Sequence, residues 1–284
     1  MYNDLNIMER SSERFRIIES INRRNILSVP KEIWLYRELL FMLAWRDYKV
    51  KYKQTAIGIA WAILQPILAM IAFAFIFGRF KEISSTGVPY PLFVYSGLLI
   101  WQFFANSVTE SSISLVASSQ IITKIFFPRI LIPLSKVATQ LIDLAFSSII
   151  LIGLMIYFHI SPPLLSYLYF IPLLISLIIV SASVGIIISA INVKFRDIQY
   201  VLPYFIQLGL FVSPIIYTSA NFGNFGLLMD LNPLTGIIDA LRYALFGTPL
   251  VPQSLLISCS LTLLLFMISI YYFNISEGKF SDII

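Results

Sequence analysis

Polar and charged residues in this chain come in blocks, separated by long stretches that hold almost none. Six apolar stretches stand out, at residues 56–78, 91–117, 134–158, 167–191, 200–218 and 254–273. Each is about as long as the roughly 20 apolar residues that carry a helix across a bilayer. The loops between them, 79–90, 118–133, 159–166, 192–199 and 220–253, hold the polar punctuation that the stretches lack. The pattern predicts an all-α integral membrane protein with six transmembrane helices, occupying residues 55–274. Residues 1–30 form an unassigned N-terminal extension, 31–54 an interfacial helix and 275–284 a tail. No internal repeat and no low-complexity linker divides the chain.

Composition strengthens this reading. Hydrophobic residues make up 58% of the 284 and charged residues 12%, with a mean hydropathy of +0.84. A soluble domain carries about twice that share of charge, so a water-exposed globular surface cannot be built from these residues. The single Cys259 excludes an intramolecular disulfide and a cysteine-based metal site. A single His159 leaves no basis for a histidine centre, so no metal site is expected. The start of the chain has no apolar signal region, and a cleaved leader is not expected.

The formal charge of +5 invites a nucleic-acid reading until the basic residues are placed. Only Arg79, Lys81 and Arg242 fall on one side of the expected topology; the other 17 of 20 fall on the opposite side. Cytoplasmic loops attract Lys and Arg, so both termini are expected in the cytoplasm. The charge is a topology signal first, and no nucleic-acid partner is expected.

Several segments carry more than a span requires. Residues 31–54 mix Trp34, Leu39, Leu40 and Trp45 with Arg46, Asp47, Lys49, Lys51 and Lys53. They are too charged to cross and too apolar to float free. A helix lying at the cytoplasmic interface fits, either as a plain anchor or as a gate beside a conduit for anionic cargo. The loop SSQIITKIFFPRILIP (118–133) sets Lys124 and Arg129 around Phe126, Phe127 and Pro128. It reads either as a docking element for a soluble partner or as a tight turn packed on its own spans. Residues 220–253 are external yet apolar, broken by glycine and proline around Phe222, Phe225, Asn232, Pro233 and Arg242. Two short re-entrant helices between spans five and six, forming an external gate, are one reading; a surface loop is the other.

Glu110 and Asp143 fall inside expected spans, where ionisable groups face a bundle interior. Gln140 shares a helix face with Asp143. A polar pathway and an inter-helix lock both fit. Tyr95, Trp101, Phe103 and Phe104 gather in the second span, as an interfacial belt or as stacking surfaces for sugar rings in a channel. The sequence has no GxxxxGK[ST] phosphate loop, no HExxH and no GxSxG. No catalytic residue is therefore assigned, and energy for work must come from a partner or a gradient.

At RDYKVKYKQTAIGIAWAILQP (46–66) and TKIFFPRILIPLS (123–135) the chain resembles type-2 ABC transporter permeases that export polysaccharides. NVKFRDIQYVLPYFIQLGLFVSPIIY (192–217), NPLTGIIDALRYALFG (232–247) and EGKFSDII (277–284) extend the resemblance in order to the C-terminus. The resemblance implies a permease in a bacterial cytoplasmic (inner) membrane, moving lipid-linked O-antigen, teichoic acid or capsular glycan. It implies a homodimer working with two copies of a separate P-loop ATPase that binds ATP and Mg, with no cofactor in this chain. By position it implies ATPase contact near 123–133, a gate at 34–53 and external gate helices at 222–246. A drug or small-lipid exporter of the same superfamily and an intramembrane enzyme acting on lipid-linked sugars are the alternatives.

Overall fold

The computed structural model describes residues 29–53, 58, 60–78, 87–125, 127–163, 166–218 and 229–283. The expected extension at 1–30 therefore lies almost wholly outside the described residues. Among those residues the chain is helical, with no strand. In order the helices are α1 (Val29–Leu35), α2 (Arg37–Lys53), α3 (Ala60–Phe77), α4 (Tyr90–Ala117) and a single turn α5 (Ser119–Ile122). Then come α6 (Leu131–Tyr157), α7 (Tyr167–Lys194), α8 (Ile198–Val212), α9 (Pro233–Phe246) and α10 (Pro252–Ile283).

Five of them, α3, α4, α6, α7 and the Pro252–Gly278 part of α10, are long and apolar enough to cross a membrane. Their positions follow the apolar stretches closely, because an uninterrupted run with no water-exposed face is stable only as a helix surrounded by lipid or protein. The stretch at 200–218 behaves differently. Its helix α8 covers only 15 residues, about 22 Å at 1.5 Å per residue and short of the roughly 30 Å hydrocarbon core. Ser213 leaves the helix in an extended conformation just before Pro214, as the residue before a proline favours. The C-terminal end differs as well: α10 continues through the expected tail to Ile283.

α4 is the axis of the bundle. It packs against α3, α6, α7, α8 and α9, while α10 closes on α7 and α9. Leu92, Phe93, Tyr95 and Leu115 on α4 are fully buried, whereas on α3 only Pro66 is buried. Small and polar residues set the closest approaches, as in bundles where lipid gives helices no hydrophobic reason to associate. A Cβ on Gly185 of α7 would lie 2.8 Å from the Ser111 Cβ of α4. The Ser111 hydroxyl donates to the Pro133 carbonyl at 3.0 Å, and the Asn192 amide donates to the Ser112 carbonyl at 2.9 Å.

α9 is bounded as its sequence dictates. The Asn232 side chain accepts from the Leu234 N–H, Pro233 occupies the first turn and Gly247 ends the helix at φ 68°. It lies buried among α4, α7 and α10 rather than on a surface.

Candidate functional site

The charged end of α2 does not hang free. Lys51 turns inward, and its ammonium donates to Glu110 of α4 at 3.0 Å and to Asp143 of α6 at 2.9 Å. It also reaches the Gln140 carbonyl oxygen at 3.4 Å, and the Tyr52 hydroxyl donates to the other Asp143 oxygen at 2.6 Å. Three helices distant in sequence are thereby joined through one cation. One turn earlier on α2, Asp47 takes an ion pair from Lys136 of α6 at 2.8 Å and another from its neighbour Arg46 at 2.7 Å. The Thr139 hydroxyl, donating to the Ala44 carbonyl at 3.3 Å, completes the seam between α2 and α6.

Burial pulls the Lys51 ammonium down, but Glu110 and Asp143 outweigh it and hold the group above its usual value. Burial, and then the bond to Asp143, push the Tyr52 phenol up, so it stays a neutral donor. Lys51 is thus charged at any physiological pH, facing two carboxylates.

Beside this cluster opens a cleft of about 420 Å³ between α2, α3, α4 and α6. Lys51, Tyr52, Gln140, Asp143 and Ser147 line it together with Trp61, Gln65, Gln102, Phe103 and Asn106. Ser147 also ties helices together, its hydroxyl donating to the Ala62 carbonyl while its own carbonyl accepts from Tyr95 at 2.9 Å.

The remaining expected site residues are dispersed. Trp34 is exposed, with Arg37 stacked over its ring, and the Lys49 ammonium lies over Trp45. Lys53 is also exposed. Of the aromatics read as stacking surfaces, only Phe103 lines the cleft. Tyr95 is fully buried and hydrogen-bonded to α6, because its hydroxyl needs a partner once the ring is packed. Trp101 fills the space left by Gly209 of α8, where a Cβ would come within 2.7 Å of the indole. Phe104 packs on Trp101, with ring centroids 5.7 Å apart.

In the loop after α5, Lys124 and Ile125 are exposed, but Phe127 and Pro128 are buried. The Arg129 guanidinium donates to the Glu277 carbonyl of α10 at 2.9 Å. The loop is therefore clipped to the C-terminal helix through Arg129, and Phe127 turns inward rather than projecting. Phe126 lies outside the described residues.

Arg242, expected in an external gate, is 2% exposed. Its guanidinium donates to the carbonyls of Pro214, Phe93 and Ile215 and stands 3.5 Å over the Phe93 ring. It satisfies the backbone freed where α8 ends, which buried carbonyls require. Asn232, besides capping α9, donates to the Ser213 hydroxyl at 2.8 Å. Phe222 and Phe225 lie outside the described residues.

Sequence reading missed Tyr52, Trp61, Gln65, Gln102 and Asn106. The signal was the one-turn spacing of Trp61 with Gln65 and of Gln102 with Asn106 inside apolar spans. Among the described residues no group of His, Cys, Asp and Glu could hold a metal ion.

Residues 38–246 match the family model described as ABC-2 type transporter. The chain is 31% identical over 250 residues to the O-antigen export system permease protein RfbA of Klebsiella pneumoniae, covering 87% of this chain and 95% of that protein. It is 28% identical over 219 residues to the RfbA of Myxococcus xanthus, covering 76% and 83%. The polysialic acid transport protein KpsM of Escherichia coli is 24% identical over 212 residues, covering 73% and 80%.

Proposed function

This chain belongs to the ABC-2 type transporter family of polysaccharide-export permeases, and on that premise we propose that it is the membrane subunit of an ATP-driven exporter of lipid-linked polysaccharide, O-antigen first. It crosses the bacterial cytoplasmic membrane six times, α8 with the turn residues after it making the fifth crossing, and keeps both termini inside. Two copies pair, and each binds one copy of a separate ATPase that supplies ATP and Mg; this chain does transport and no chemistry.

The observation that carries the reading is the bracing of α2 by Lys51. A helix outside the spans is held by paired charges to two span helices, beside a cleft between them. Such a helix can move as a unit and take the spans with it, because packed elements shift between discrete arrangements rather than deform continuously. The loop clipped to α10 through Arg129 supports a second rigid lever, which this reading assigns to the ATPase contact. Lipid-linked substrate meets Lys49 and Lys53, which stay exposed at the end of α2. Capsular glycan is the second reading, favoured by the similarity to the polysialic acid transport protein.

Deleting the gene should strip the cell of one surface polysaccharide while its lipid-linked precursor accumulates inside. A tagged chain should co-purify an ATPase. Normal surface glycan together with altered sensitivity to drugs or lipids would overturn the reading in favour of a small-molecule exporter.

A further inference from the structure

The cleft holds more hydrogen-bonding capacity than the ion cluster consumes. Gln102 and Asn106 stand one turn apart on α4, and Trp61 and Gln65 one turn apart on α3; all four line the cavity. At this spacing each pair shares a helix face. Among the described residues, no hydrogen bond or ion pair within the chain engages the side chains of Gln65, Gln102 or Asn106. Gln140, on the same lining, is 1% exposed and its amide nitrogen has no partner. A buried amide donor left unmade is costly, and in an apolar span three further unengaged amides on one cavity need a reason.

Amides offer both donors and acceptors with no charge, while Trp61, a half-exposed residue, brings an indole ring. That combination suits a ring whose faces are apolar and whose rim is hydroxylated. Charge decides against an anion here. Lys51 and Asp143 are the charged residues on its lining, and the Lys51 ammonium is already held by Asp143 and by Glu110 behind it, so a phosphate entering this cleft finds no uncommitted cation. The volume of about 420 Å³ lies in the range of small-molecule sites, about 300–1,000 Å³.

The geometry points to a binding subsite for an uncharged pyranose ring in this cleft, stacked on Trp61 and hydrogen-bonded by Gln65, Gln102 and Asn106. The inference rests on the polysaccharide-export reading and goes further. It places the sugar contact on the span side of α2 and sends the diphosphate of a lipid carrier elsewhere.

The test uses the full chain in nanodiscs, with saturation-transfer NMR on the methyl glycosides of glucose, galactose, mannose and N-acetylglucosamine. Inorganic pyrophosphate, followed by phosphorus NMR, serves as the anionic comparator. At least one glycoside should receive saturation, and pyrophosphate should show no broadening that depends on Lys51. Trp61→Ala and the double variant Gln102→Leu/Asn106→Leu should each weaken glycoside binding about tenfold, the loss of one or two net contacts. Trp61→Phe, which keeps an aromatic face, should retain most of it. Melting curves identify any variant that has merely unfolded, and for such a variant the Trp61→Phe comparison decides.

No saturation of any glycoside at millimolar concentration overturns the inference, as does pyrophosphate binding lost in Lys51→Ala. The export reading fails separately. If cells lacking the gene keep their surface glycan, that reading falls whatever the sugars do. If they lose it and Gln102→Leu/Asn106→Leu restores export in full, the subsite alone falls.

Discussion

At the scale of single residues, Lys51 carries the most consequence. Its removal leaves Asp143, 13% exposed, beside Glu110 with no cation between them. Lys51→Ala should lower stability in detergent by about 1–3 kcal/mol, below the value for a fully buried pair because Lys51 and Glu110 keep about a third of their exposure. Lys51→Ala combined with Asp143→Asn should recover part of the loss; thermal melts of the single and double variants read this directly, and additive losses would dissolve the proposed coupling. The folded chain holds the ammonium above its ordinary value of 10.5. The contribution is therefore complete below that pH and fades only as pH climbs past the raised value, so melts at neutral pH should not depend on pH through this group. Glu110 and Asp143 were legible in the sequence because ionisable groups inside apolar runs stand out, and Gln140 because it shares a helix face with Asp143. Their partner was not. Lys51 sits among Lys49 and Lys53 in one basic run, and nothing local says which of the three turns inward.

At the scale of elements, glycines decide where helices meet. Gly236 of α9 donates its N–H to the Ser258 hydroxyl of α10 at 2.9 Å, and an added Cβ would lie 2.6 Å from the Ser254 carbonyl. Backbone cannot step aside as a flexible side chain can. Gly236→Val should therefore push α9 off α10 and destabilise the chain by about 2–3 kcal/mol, read as a fall in melting temperature with insertion into the membrane intact. An unchanged melt would mean that the two helices part without cost. The limits of α9 were written in Asn232, Pro233 and Gly247, residues with strong local preferences at helix ends. Its burial among α4, α7 and α10 was not. The Arg242 that looked like an exposed gate residue is consumed by three carbonyls, and two of them, of Pro214 and Ile215, are free to accept because α8 stops short at Val212.

At the scale of the whole molecule, the distribution of basic residues predicts an orientation that labelling can check. In a Cys259→Ser background, Lys53→Cys should react with an impermeant thiol reagent only in inverted vesicles, and Gly87→Cys only in intact cells. Labelling of both from one side would reverse or break the proposed topology. The apolar runs by themselves determined that the chain is a bundle of membrane-length helices. Long stretches without charge have one stable state in a bilayer, and that constraint acts locally. The same local logic placed the helix ends at proline, asparagine and glycine. Tertiary structure alone decided that Lys51 joins α2 to α4 and α6, that Tyr95 and Trp101 are packing residues, and that unengaged amides from two helices face one cleft. These outcomes depend on which faces of distant helices meet, and in an apolar helix the hydrophobic pattern is nearly the same on every face. Only the fit of small residues, buried hydrogen bonds and paired charges across helices settles which face turns inward.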